Sequence, residues 1–138
     1  MARSVKPALR NSVATRARFR CEYCLQHEDD AIQSHHVDHI ISEKHEGETV
    51  LENLAYSCNL CNWMKGTDVA AYDASNRMLI PLFNPRTDHW NEHFKLHYGE
   101  IIPLTGVGEA TIRLLKLNAP QRITEREWLA SRGGYPRL

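Results

Sequence analysis

Residues 20–66 read RCEYCLQHEDDAIQSHHVDHIISEKHEGETVLENLAYSCNLCNWMKG, and this stretch decides the fold. It opens and closes on cysteine pairs, Cys21/Cys24 and Cys58/Cys61, which are all the cysteines in the chain. Two residues between thiols let both side chains of a turn face one ion, and two such turns supply the tetrahedral sulfur set that Zn2+ accepts. Thiolate softness disfavours Mg2+ there, and the dense spacing of an iron–sulfur site is missing. Two disulfides, a redox C-x-x-C, and a site with a histidine in place of one thiol are the competing readings. Zinc bound by Cys21, Cys24, Cys58 and Cys61 is the expectation, and such an ion would pin residues 25–57 between its two clamps.

Between the clamps, the β-branched residues Ile32, Val37, Ile40 and Ile41 predict a strand over 32–41. The polar run SEKHEGETVLEN reads as a loop turning at Gly47, and Leu54 to Ser57 as a second short strand. A helix is predicted from Asn62 to Lys65, ending at Gly66. Upstream, Val5, Leu9, Val13 and Ala17 recur at near-helical spacing, which predicts a helix over Ser4–Phe19 with Pro7 tolerated in its first turn. Downstream signals are weaker. They predict a strand over 78–82, a brief helix capped by Asp88 and carrying Trp90, His93 and Phe94, a strand over 101–104, and a helix over 108–117. A last short helix contains Trp128 and Leu129, with Thr124 and Glu127 as its capping box. The fold class is therefore α+β.

The 138 residues carry 17 Lys+Arg and 17 Asp+Glu, a formal charge of zero. The charges are unevenly spread. Residues 1–20 hold Arg3, Lys6, Arg10, Arg16, Arg18 and Arg20 with no acid, residues 28–52 are acidic, and the end is basic again through Arg113, Lys116, Arg122, Arg126, Arg132 and Arg137. Two basic ends brought to one side would form a phosphate-attracting face despite the neutral total, whereas solvated basic helices are the duller alternative. No apolar run approaches the roughly 20 residues of a membrane span. The basic start lacks the apolar core of a secretory signal. A cytoplasmic protein without a membrane partner is the expectation.

Inside and beside the cysteine clamp lie His35-His36-Val37-Asp38-His39-Ile40, Glu52-Asn53-Leu54 and Cys61-Asn62-x-x-Lys65-Gly66. A neutral imidazole can take a proton from water near pH 7, and carboxylate and amide oxygens suit one partly hydrated Mg2+ or Mn2+. Taken in order, D-H-I, E-N-L and C-x-x-C-N-x-x-K-G over residues 20–66 resemble the HNH endonucleases, specifically members whose ββα-metal unit is braced by four cysteines. The resemblance implies a small ββα-metal nuclease core with a structural Zn2+ and a catalytic Mg2+ or Mn2+. Asp38 then corresponds to the carboxylate ligand of the catalytic ion and His39 to the general base. Asn53 corresponds to the asparagine that supports the loop, and Asn62 to the last ligand position, where the family uses histidine or asparagine.

His36 and Lys65 are accessory candidates, the one as a ligand or neighbour of the site and the other as a residue approaching phosphate; His35 reads as exposed or locally satisfied. On this reading residues 1–68 form the N-terminal helix and nuclease core. Residues 69–138 form a mixed helical and strand extension packed on it, similar to one that accompanies this branch in some bacterial proteins. Phe83, Trp90 and Phe94 read as packing residues, and Arg86, His89, His93 and His97 as a candidate phosphate-facing group. The implied activity is hydrolysis of DNA backbone bonds to 5′-phosphate ends, with RNA and a homodimer left open. The main rival is a zinc-dependent nucleic-acid-binding module without hydrolysis.

Overall fold

A computed structural model describes residues 5–137 of the chain, so the parts of the sequence-predicted helix and of the basic N-terminal run that fall on residues 1–4 lie outside the described residues. The elements run α1 (Pro7–Arg16), β1 (His36–His39), β2 (Leu54–Ser57), α2 (Asn59–Lys65), β3 (Ala70–Tyr72), β4 (Leu79–Pro81), α3 (Trp90–His93), β5 (Phe94–His97), β6 (Glu100–Pro103), α4 (Gly106–Leu115) and α5 (Pro120–Ser131). The strands form three antiparallel two-stranded ribbons, β1 with β2, β3 with β4 and β5 with β6. The α+β class holds, with β1, β2 and α2 as a ββα unit.

The β1/β2 hairpin is the centre of the arrangement. Its register pairs His36 with Ser57, Val37 with Tyr56, Asp38 with Ala55 and His39 with Leu54. Alternation along a strand turns Val37, Leu54 and Tyr56 to one face, where they join Leu9, Val13, Ala14 and Ala17 of the N-terminal region. Ala55 and Asp38 turn to the other face. There the main apolar cluster draws on Cys21, Tyr23, Cys24, Cys58 and Cys61 together with Phe83, Phe94, Ile101, Ala110, Leu115 and Leu117. One cluster thus holds residues from both halves of the chain.

Several element boundaries differ from the sequence reading, each for a local reason. The first strand is confined to His36–His39, because Glu28–Asp30 form a 3-10 turn and Ile32 is fully exposed. Helix α2 begins at Asn59 rather than Asn62, since Cys58 Sγ acts as its N-cap and accepts from Cys61 N. Only Trp90–His93 are helical in the region assigned to an Asp88-capped helix, and Phe94–His97 pair as a strand with β6. Asp88 closes a turn instead, its Oδ2 accepting from Asn84 N at 2.9 Å. Helix α4 begins at Gly106 behind Thr105, whose side chain accepts from Gly108 N. The final helix starts at Pro120, not at Thr124, because proline's fixed φ and missing N–H suit a first helical position.

Candidate active site and metal centre

The four cysteines converge. Their sulfurs lie within 4.8 Å of one another, and Cys24 Sγ stands 3.7 Å from Cys58 Sγ. A tetrahedral zinc with Zn–S of about 2.3 Å puts sulfurs roughly 3.8 Å apart, so the spacing suits a shared ion. It is too wide for a disulfide at about 2.05 Å. Each pair is shaped by its own backbone: Cys24 N donates to Cys21 Sγ at 3.4 Å and Cys61 N to Cys58 Sγ at 3.5 Å. Burial pushes the Cys21 and Cys61 thiols well up, while hydrogen bonds from Cys21, Cys58 and Cys61 hold Cys24 well down. Four buried thiolates cannot share so small a volume without a cation, and a divalent soft ion fits that donor set. In its residues and spacing the cluster fits a zinc ion.

At the end of the hairpin, Asp38 is buried on β1 and its carboxylate is gripped on one oxygen. Lys65 Nζ lies 3.1 Å from Oδ2, and the Tyr23 hydroxyl donates to the same atom at 3.4 Å. Lys65 also donates to the carbonyls of His39 (3.2 Å) and Ile40 (3.3 Å), so its three hydrogens meet three acceptors. Burial pushes the Asp38 carboxyl above its usual range, although the Lys65 charge pulls the other way. Burial and the Asp38 charge likewise push the Tyr23 hydroxyl well up, which keeps it a donor. Tyr23 sits between the two cysteines of the first pair, so one zinc turn reaches the carboxylate directly.

The loop after β1 is held by Asn53. Its Oδ1 accepts from Ile41 N and its Nδ2 donates to Ile41 O, each at 2.9 Å, so a side-chain amide stands in for one more residue pair of the hairpin. Nδ2 also donates to Glu48 O, again at 2.9 Å, and Ile40 N donates to Asn53 O. Gly47 passes beneath this clamp: a Cβ there would lie 1.7 Å from Ile41 O and 2.9 Å from Asn53 Nδ2. The same loop supplies Thr49, whose Oγ1 is 2.9 Å from His39 Nε2. Residues 21–68 match the model of the HNH endonuclease family. The chain carries an HNH domain. No curated protein and no solved structure matches the chain.

The match over residues 21–68 suggests nuclease or nucleic-acid-binding function, and the ββα unit lies within it. Within it, Asn62 stands one turn before Lys65 on α2, the same helix that reaches Asp38 and the carbonyls of His39 and Ile40. No hydrogen bond among the described residues joins the Asp38 carboxylate, the His39 ring and the Asn62 amide to one another; Asp38 and His39 lie on β1 and Asn62 on α2, the helix whose Lys65 reaches the end of β1. His36 Nε2 pairs with Asn59 Oδ1 at 3.0 Å, at the start of the same helix.

Lys65, an accessory candidate, is 2% exposed, with its Nζ bonded to Asp38 Oδ2 and to the carbonyls of His39 and Ile40. Of the two readings for His35, exposed or locally satisfied, the structure shows the second: it is buried, with its Nε2 2.9 Å from Gln26 O and its ring against Tyr56. Several arginines of the two basic ends are taken up by contacts within the fold. Arg10 donates to His35 O, Arg16 to Leu51 O and Leu54 O, Arg20 to Arg137 O, and Arg126 to Gly99 O and Leu117 O. Arg137 pairs with Asp29 and Asp30.

The second-half group disperses as well: Arg86 pairs with Glu22, His93 with Thr105, and His97 packs on Tyr98. Phe83 and Phe94 are core, and Trp90 donates from Nε1 to Tyr23 O, 2.9 Å away. Sequence reasoning missed Tyr23, Thr49 and Arg122. For Arg122 a signal existed, because positions 122, 126 and 129 form one helical stripe, and that stripe is buried in α5 although arginine fills two of its places.

Proposed function

We propose that the chain is an HNH endonuclease that hydrolyses DNA phosphodiester bonds with one divalent cation, Mg2+ or Mn2+. The observation that carries this reading is the half-occupied Asp38 carboxylate inside a matched HNH domain. Lys65 and Tyr23 both hold Oδ2, which fixes the carboxylate's orientation and leaves Oδ1 outside that grip as the ligand atom. With the Asn62 amide it offers oxygen donors of the kind a hard, partly hydrated cation accepts. When bound, such an ion would neutralise the charge developing on phosphoryl and leaving oxygens.

The chain's own part follows from the loop. Thr49 at His39 Nε2 sets the ring's orientation, and with Nε2–H donating to Thr49 Oγ1 the Nδ1 lone pair is the base that takes a proton from the attacking water. Asn53 fixes the loop that carries Thr49, and so acts on the base through its position. The leaving group is the 3′ oxygen, giving 5′-phosphate ends. Plasmid nicking by zinc-loaded protein in Mg2+ or Mn2+ tests this. His39→Ala should lose about 100-fold or more, within the 10²–10⁴ range for general base catalysis, with fold and zinc content unchanged. Equal nicking by both proteins overturns the assignment of His39. Salt-sensitive DNA binding without any metal-dependent product in the parent protein favours the binding-module reading.

A further inference from the structure

The zinc corner contains a charged side chain from outside the HNH domain. Arg122 of α5 is buried, and its guanidinium divides its contacts between two targets. NH1 donates to the carbonyls of Leu115 (2.9 Å) and Lys116 (3.2 Å), where α4 ends in a left-handed residue. NH2 donates to Cys61 Sγ at 3.1 Å and reaches Cys58 Sγ at 3.9 Å. The first target is what any helix-end arginine would choose. The second is not, because sulfur accepts strongly only when it carries negative charge.

A zinc ion with four thiolates retains a formal charge of about −2. Here the cysteines are 0–4% exposed, so water is poorly placed to screen that charge. Among the described residues, Arg122 is the cation whose hydrogen bonds reach the sulfurs. Tyr135 adds a neutral contact at the first pair, donating to Cys24 O at 2.6 Å. We infer that Arg122 is the counter-cation of the tetrathiolate zinc site and governs how firmly the ion is held, so that residues 69–138 complete the metal site instead of merely packing beside it. The inference concerns zinc and stands whether or not the HNH domain cuts DNA.

Arg126 provides the control. It lies one turn further along α5, is equally buried, and donates to Gly99 O and Leu117 O without reaching a sulfur. Zinc transfer from the full chain to a chromophoric chelator is measured for the parent protein, Arg122→Met, Arg122→Gln and Arg126→Met. Loss of an outer-shell partner typically costs 10–100-fold in metal affinity, so both Arg122 variants should release zinc at least ~10-fold faster. Arg126→Met should stay near the parent rate even if its melting temperature falls. Cobalt-loaded protein gives a second readout: without the cation, sulfur-to-metal charge-transfer bands should move to lower energy in the Arg122 variants and stay put in Arg126→Met. Parent-like release and unshifted bands in the Arg122 variants overturn the inference. Equal acceleration in Arg122→Met and Arg126→Met overturns it too, since the effect would then come from loosened packing. If Arg122→Met does not fold, Arg122→Gln, which replaces the cation with a neutral polar donor, decides between the same outcomes when set against Arg126→Met.

Discussion

The zinc corner and the loop at residues 40–53 lie on either side of Asp38, and they are stabilised in opposite ways. In the corner every group is enclosed: four thiols with their own N–H donors, Arg122 on the sulfurs and Tyr135 on a carbonyl. In the loop the order comes from the Asn53 amide, from the missing side chain at Gly47 and from local turn bonds, Gly47 N to Ser42 O and Asn53 N to Val50 O. Much of its surface is exposed. A closed site resists change and holds the fold, whereas an open one keeps lone pairs available for water, cation and phosphate. Tyr23 and Lys65 join the two by meeting on one oxygen of Asp38.

The harshest way to break the contrast is to remove the corner. Structural zinc contributes on the order of 10 kcal/mol in small metal-dependent domains, comparable with a typical total stability of about 5–15 kcal/mol. Cys61→Ser should therefore abolish stoichiometric zinc and cooperative thermal unfolding together, as read by metal analysis and calorimetry. A cooperative, parent-like transition in a zinc-free Cys61→Ser protein would mean that the corner is decoration. The loop should fail differently. In Gly47→Ala the added carbon meets backbone at 1.7 Å, so the loop must shift, at a cost of about 1–3 kcal/mol for overpacking. Zinc should remain at one equivalent, while nicking falls by roughly 100-fold, the penalty of misplacing a reacting group by about 1 Å. Loss of zinc in this variant would show that the two regions are not separable.

How much of this could be read from the chain alone follows the same contrast. The corner was legible because its chemistry is confined to four cysteines at two short spacings, and each pair closes on itself locally. The ordered D-H-I, E-N-L and C-N-x-x-K residues marked the HNH domain for the same reason, and the β1/β2 hairpin lies between them. The arginines were not legible. A basic residue on a helix looks the same in sequence whether it faces water or donates to a carbonyl many residues away, as Arg16 does to Leu54 and Arg126 to Gly99. Tyr23 was hidden by its setting, since a residue inside C-x-x-C reads as a spacer until its hydroxyl is seen at Asp38. Trp90, His93 and Phe94 have helical spacing, and at Phe94 only the pairing of β5 with β6 overrides it.

The smallest expected effect tests the face of the hairpin turned away from the zinc. There the Tyr56 hydroxyl donates to Glu28 Oε1 at 2.5 Å, and the same oxygen accepts from His35 N at 2.9 Å. Burial, the largest single influence, would raise the Glu28 carboxyl, but these two hydrogen bonds together with neighbouring positive charge such as Arg10 hold Glu28 below its usual range. Tyr56 is pushed up to about 12, first by burial and then by its bond to Glu28. The signs give two arms. A depressed carboxylate stabilises the fold above its unfolded value, near 4.3, and that stability drains away as pH falls through the folded value. A raised phenol stabilises below its unfolded value, near 10, and its contribution is lost as pH climbs from there toward about 12. Tyr56→Phe removes the phenol and the bond together. The melting-temperature difference between parent and variant should be widest between about pH 5 and 9 and narrow at both extremes. A difference that stays constant across the whole range would mean that the hydroxyl and the carboxylate do not share a proton bridge, and that Tyr56 steadies the hairpin by packing against Val13 and Leu54 alone.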